Sequence, residues 1–169
     1  MDSVRKELLT QGEVEALGLD DTSRELILMV GLPRSGKTTF AREFVEGNAG
    51  TAIVNPDSIR VAIHGQRFIG KAEPVVWMVA KYMAQSLFTA GHHTVIIDAT
   101  NNTADRRDEW VKEFRDTEVT VSCIFIFTPA AECIERARAE GDLDIIPIIE
   151  KMEEKADWLD MTFDQLEIS

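Results

Sequence analysis

Four largely apolar runs punctuate the chain and are predicted as strands: ELILMV (25–30), TAIV (51–54), TVIIDAT (94–100) and VTVSCIFIF (119–127). They are apolar nearly throughout rather than alternating, as strands covered on both faces are. Between them the period lengthens to that of a helix. Thr38 to Glu46 sets Phe40, Phe44 and Val45 on one side and stops at Gly47. Glu73 to Ala90 carries Pro74 in its first turn, repeats Val76, Ala80, Met83 and Leu87 at helical spacing, and closes at Gly91. Further helices are predicted from Ala104 to Arg115, Pro129 to Ala139 and Pro147 to Leu159, with a last edge strand in QLEI (165–168). Strands alternating with helices predict one α/β domain over 25–169, a mainly parallel five-stranded sheet with helices on both faces. Residues 1–24 mix charge with Leu8, Leu9, Val14, Leu17 and Leu19 and read as an N-terminal helical extension.

Composition narrows the setting. The chain has 169 residues, 44% of them hydrophobic and 28% charged, which suits one folded domain. No apolar run nears the ~20 residues that span a bilayer, and the first residues lack a signal-peptide core. Cys123 and Cys133 have no zinc spacing, so a reducing, cytoplasmic location is expected. The net charge of −12 argues against a long phosphate-binding track, though not against a small basic mouth.

The chemistry begins at GLPRSGKT (31–38), between the first strand and the first helix. Backbone N–H groups of such a loop converge on phosphate at the positive end of the helix. Gly31 and Gly36 accept conformations that a Cβ hinders, while Pro33, Arg34, Ser35 and Thr39 complete the cradle. Lys37 is expected to reach the β- and γ-phosphates of ATP, and the Thr38 hydroxyl to hold Mg²⁺.

Other polar groups fall at strand ends, where ligands of open α/β sheets bind. Asp57 follows the second strand. It is either a first-turn acid of a helix capped by Asn55 or a base for an acceptor hydroxyl, with Arg60 gripping that acceptor. Asp98 ends the third strand, either bound by neighbouring N–H groups or facing Mg²⁺ opposite Thr38. Arg106 and Arg107 face the acceptor or only solvent. Arg136 and Arg138 are about 200° apart on a straight helix, so both reach one triphosphate only if the helix ends or bends there. The histidines show no metal or triad spacing, and Trp77, Trp110 and Trp158 fit core positions.

GLPRSGKTTFAREF, VNPDSIR, VIIDATNNTADRR and ECIERARAEGD, in this order, resemble the polynucleotide-kinase-like P-loop family over residues 26–168. The resemblance implies ATP and Mg²⁺ at Lys37 and Thr38, Asp57 as general base, Arg60 on the acceptor and Asp98 supporting the metal. It also implies a lid around 136–147 in which Arg136 covers the triphosphate. The family often carries arginine just before the lid glycine, where this chain has Glu140, so Arg138 substitutes or the lid closes differently. A kinase acting on a nucleic-acid hydroxyl is expected, either a 5′ end or a hydroxymethylated base. The alternatives are a kinase of a nucleoside or other small molecule, an NTPase with water as acceptor, and an inactive binding module.

Overall fold

A computed structural model describes residues 23–156. Four strands, β1 (Arg24–Val30), β2 (Thr51–Val54), β3 (Thr94–Ile97) and β4 (Val119–Phe125), form one parallel sheet in the order β2-β3-β1-β4. The sheet therefore has four strands among the described residues rather than the expected five. The strand expected at 165–168, the N-terminal helices and Trp158 lie outside those residues. β1 pairs on both sides, Leu26 with Val95 and Val121, which explains why its run is apolar without alternation.

Among the described residues six α-helices connect and cover the strands: α1 (Lys37–Gly47), α2 (Pro56–His64), α3 (Glu73–Thr89), α4 (Ala104–Phe114), α5 (Ala130–Ala139) and α6 (Ile146–Lys155). The two faces of β1 separate two cores. Leu26 and Leu28 join Val95, Ile97, Val76, Ala80, Trp110 and Phe114 beneath α3 and α4. Ile27 and Met29 join Ile96 and Ala41 beneath α1, with Phe40 and Phe44 beside them. A third cluster of Leu32, Cys133, Ala137, Ile145 and Ile149 fastens α5 and α6 to the loop after β1.

β3 ends at Ile97, three residues short of the predicted strand; the Asp98 N–H still donates to the Val54 carbonyl (3.0 Å), while the Thr100 carbonyl turns to accept from the Gly31 N–H (3.1 Å). Asn101 and Asn102 are buried supports: Asn101 Nδ2 donates to the Met29 carbonyl (2.9 Å) and Asn102 Nδ2 to the Met152 carbonyl (3.3 Å). Trp110 is 1% exposed and meets Trp77 edge to face at 6.4 Å. Trp110→Ala is expected to cost about 3–5 kcal/mol. The check is a urea titration, in which the midpoint falls at an unchanged slope.

Candidate active site

The phosphate loop leaves β1 at Gly31, whose N–H donates to the Thr100 carbonyl (3.1 Å) and so joins the ends of β1 and β3. Pro33 is half-buried, Ser35 is buried, and Thr38 and Thr39 open to solvent. The Thr128 hydroxyl beyond β4 donates to the Ser35 carbonyl (2.9 Å), which fixes the loop from the other side. Gly36 precedes α1 with φ 105°, and no side chain caps that helix. A Cβ on Gly36 would meet nothing within 4 Å, so the ground before the helix N-terminus is open. Uncapped N–H groups facing open ground are what an anion requires.

Lys37 is only 7% exposed. Its ammonium donates to the Leu32 carbonyl (2.6 Å) and the Ser35 hydroxyl (3.4 Å), and no carboxylate bonds to it. Burial is the main influence on it and lowers its pKa to about 8, against the opposing pull of Asp98, Cys133 and Asp57. A buried cation without a bonded anion, beside an uncapped helix start, fits a triphosphate.

Asp98, 4% exposed, accepts from the Thr38 hydroxyl and the Asn55 amide, each at 2.8 Å to Oδ2. Side-chain donors thus satisfy it, rather than neighbouring backbone N–H groups. One hydroxyl and one carboxylate are hard oxygen ligands of the kind Mg²⁺ accepts alongside water and phosphate. No cluster of three or more His, Cys, Asp or Glu side chains suited to a metal occurs among the described residues. Thr38 and Asp98 are the pair that fits.

Asn55 has two tasks. It caps α2, with Oδ1 accepting from the Ser58 N–H at 2.7 Å, while its amide holds Asp98. Asp57 is therefore free of capping duty and sits 69% exposed in the first turn, accepting from Arg60 Nη1 at 2.6 Å. The sequence reading missed what holds Arg60. Glu73, at the start of α3, takes Nε and Nη2 in a fork, both at 2.7 Å. Trp77 Nε1 donates to Glu73 Oε2 (3.2 Å), and the guanidiniums of Arg60 and Arg106 lie 5.7 and 4.2 Å from the Trp77 ring centroid. Hydrogen bonds from Arg60 hold the Glu73 carboxyl below the usual range, and Glu73 in turn raises the Arg60 pKa. Arg106 thus stands near Arg60, whereas Arg107 is buried and donates to the Asn101 carbonyl (3.0 Å).

α5 stays helical to Ala139, so its two arginines diverge. Arg136 Nη1 donates to the Arg34 carbonyl on the phosphate loop (3.0 Å) and pairs with Glu132. Arg138 is exposed, and no ion pair joins it to another described residue. A cleft of about 520 Å³ is lined by Thr38 and Asp98 themselves and walled by Ile53, Ile59, Val79 and Met83. It follows the face of α2 that carries Ser58, Ile59, Ala62 and Ile63, not the positions of Asp57 and Arg60.

Residues 26–144 match a family described as an AAA domain. The chain belongs to this AAA domain family. The AAA domain is similar to a chain of the Pnkp1/Rnl/Hen1 complex at 27% identity and a TM-score of 0.62, over 68% of this chain and 39% of that one. It is also similar to the Mycobacterium tuberculosis APS kinase CysC bound to AMPPNP and APS, at 19% identity and a TM-score of 0.56 over 76% of both chains. A gluconokinase from Sinorhizobium meliloti 1021 shares 12% identity at a TM-score of 0.57, over 86% of this chain and 81% of that one. The AAA domain spans 39% and 47% of the two Pnkp1/Rnl/Hen1 complex chains it matches. Its fold is that of a P-loop kinase, which implies nucleotide binding. Among the described residues no helix is long and apolar enough to cross a membrane.

Proposed function

We propose that this AAA domain is an ATP-dependent kinase that transfers the γ-phosphoryl group to a hydroxyl on nucleic acid, either a 5′ end or a hydroxymethylated base. The observation that carries it is the exposed Asp57 carboxylate, held by an Arg60 that Glu73 and Trp77 lock in place, within electrostatic reach of Lys37. Against a water-directed NTPase, the sequence shows neither a second-strand threonine switch nor a DxxG signature. The likeness to a chain of an RNA repair complex supports a nucleic-acid acceptor.

In this mechanism the loop N–H groups and Lys37 grip the triphosphate, and Thr38 with Asp98 hold Mg²⁺, which supplies charge neutralisation on the phosphates. Arg60 orients the acceptor. An Asp57 oxygen takes the proton of the acceptor hydroxyl as the new O–P bond forms. ADP departs with the electron pair of the broken P–O bond, while Arg136 steadies the charge of the moving group.

A small-molecule hydroxyl is the second reading. The apolar cleft beside Asp98 favours it, as does likeness in fold to an APS kinase and a gluconokinase over about three quarters or more of each chain. The test is transfer from labelled ATP to 5′-hydroxyl and base-hydroxymethylated oligonucleotides against free nucleosides, at two salt concentrations. Oligonucleotides are expected to accept phosphate, with binding weakening at a slope of about −0.9 per duplex phosphate contacted. Because the chain carries −12, only a few such contacts are expected. Arg60→Ala should raise the acceptor KM more than the ATP KM. Transfer to a nucleoside with none to any oligonucleotide would overturn the nucleic-acid reading and leave the kinase chemistry intact.

A further inference from the structure

The phosphate loop and the lid are joined by a charge cluster that nucleotide binding alone does not require. Arg34 adopts φ 68°, a left-handed conformation that costs a non-glycine residue about 1–2 kcal/mol. Its side chain meets two acids that flank Gly141. Nη1 pairs with Glu140, and Nη2 donates to Asp142 Oδ2 at 2.5 Å. The same Asp142 oxygen accepts from Arg67 Nη1 at 2.8 Å, on the segment that links α2 to α3.

The end of α5 explains why both acids arrive together. Gly141 has φ 73°, its N–H donates to the Arg138 carbonyl (3.1 Å), and the Asp142 N–H donates to the Ala137 carbonyl (2.9 Å). This is the paired-bond ending that a left-handed glycine permits. It turns the chain so that residues 140 and 142 both reach Arg34. One turn earlier on α5, Arg136 donates to the backbone carbonyl of that same Arg34 (3.0 Å).

We propose that Arg34, Glu140 and Asp142 form a latch that places the lid, and with it Arg136, on the phosphate loop before nucleotide arrives, with Arg67 tying the α2 side to the same carboxylate. Two guanidiniums against two carboxylates leave the cluster neutral, so its closure needs no triphosphate. Glu140, where the related pattern often has arginine, becomes the loop's partner instead of the nucleotide's. Asp142 is the central member, since its side chain is 16% exposed while those of Glu140 and Arg67 are more than half exposed. Exposed pairs contribute little, so the ranking follows burial. These are positioning residues. The effect on turnover rests on the kinase reading; the effect on lid order does not.

The experiment follows amide hydrogen exchange over residues 130–147, with and without the ATP analogue AMP-PNP, in the wild type, Asp142→Ala and Glu140→Gln. Wild-type protection is expected to be the same with and without nucleotide. Asp142→Ala should lose at least about tenfold in protection without nucleotide and regain part of it with AMP-PNP, with Glu140→Gln intermediate. In transfer assays Asp142→Ala should lower kcat about tenfold and move the ATP KM less than threefold, and Arg34→Lys should keep more activity than Arg34→Ala. Unchanged exchange in Asp142→Ala, or a wild-type lid protected only by nucleotide, would overturn the latch. A latch intact by exchange with no transfer to any acceptor would remove the kinase reading alone.

Discussion

Lys37→Ala is expected to lower phosphoryl transfer about 10³-fold while leaving the ligand-free protein as stable as the wild type, or more so. The rate loss follows from removing a preorganised charge in a water-poor site, where one such group contributes about 10²–10³. The stability follows from the ammonium's surroundings. Burial costs a charged group dearly unless it is paired, and Lys37 has only a carbonyl and a hydroxyl to donate to. Turnover assays and thermal melts on the same preparations check both halves. Unchanged ATP turnover with matched stability would remove Lys37 from the phosphate site.

The same burial predicts a pH dependence. Lys37 titrates near 8 when folded, against 10.5 for the free side chain. Below about pH 8 the group is charged in both states, and its burial opposes folding in full. Between about 8 and 10.5 the unfolded chain holds a proton that the folded one has released, so ligand-free stability rises with pH. Nucleotide binding has the opposite sign. A triphosphate favours the ammonium, so binding takes up a proton above pH 8 and affinity falls there. A plot of analogue Kd against pH should bend upward near 8 in the wild type and stay flat through that region in Lys37→Ala.

What could be read from the chain divides along sequence separation. The strands were legible because a central parallel strand must be apolar on both faces, as β1 is from Leu26 to Val30. The loop was legible because its glycines, lysine and threonine are contiguous. Asp57 and Arg60 were legible as a local pair, one helical turn apart. Glu73 was not, because nothing in the spacing of residues 60 and 73 announces a fork of two hydrogen bonds. It can be suspected only from an acid in the first turn of α3 with a tryptophan four residues on. The Arg34–Glu140 pair, 106 residues apart, depends on a glycine turn whose direction no local pattern records. Asn101 and Asn102, within the run VIIDATNNTADRR, are struts that no pattern announces, since burial and backbone acceptors are invisible in sequence.

Asp57→Asn is expected to abolish most transfer, by about 10²–10⁴-fold, while ATP affinity and stability hold. The amide keeps the size of the carboxylate, and its oxygen can still accept from Arg60 Nη1. It cannot take a proton from an acceptor hydroxyl. Stability should hold because Asn55, not Asp57, caps α2, and because the Asp57–Arg60 pair is exposed on the acid's side. The loss of a first-turn charge costs a few tenths of a kcal/mol, up to about 1. Arg60 stays in place because its fork to Glu73 is untouched, so the acceptor KM should change little. Single-turnover transfer with saturating ATP and acceptor isolates the chemical step. The sharp comparison is with Glu73→Gln, which leaves the base intact but loosens Arg60, and so should raise the acceptor KM more than it lowers kcat. If Asp57→Asn instead loses stability and transfers normally per folded molecule, Asp57 is a structural acid and the base lies elsewhere. If both variants act only on KM, the pair grips the acceptor without taking its proton.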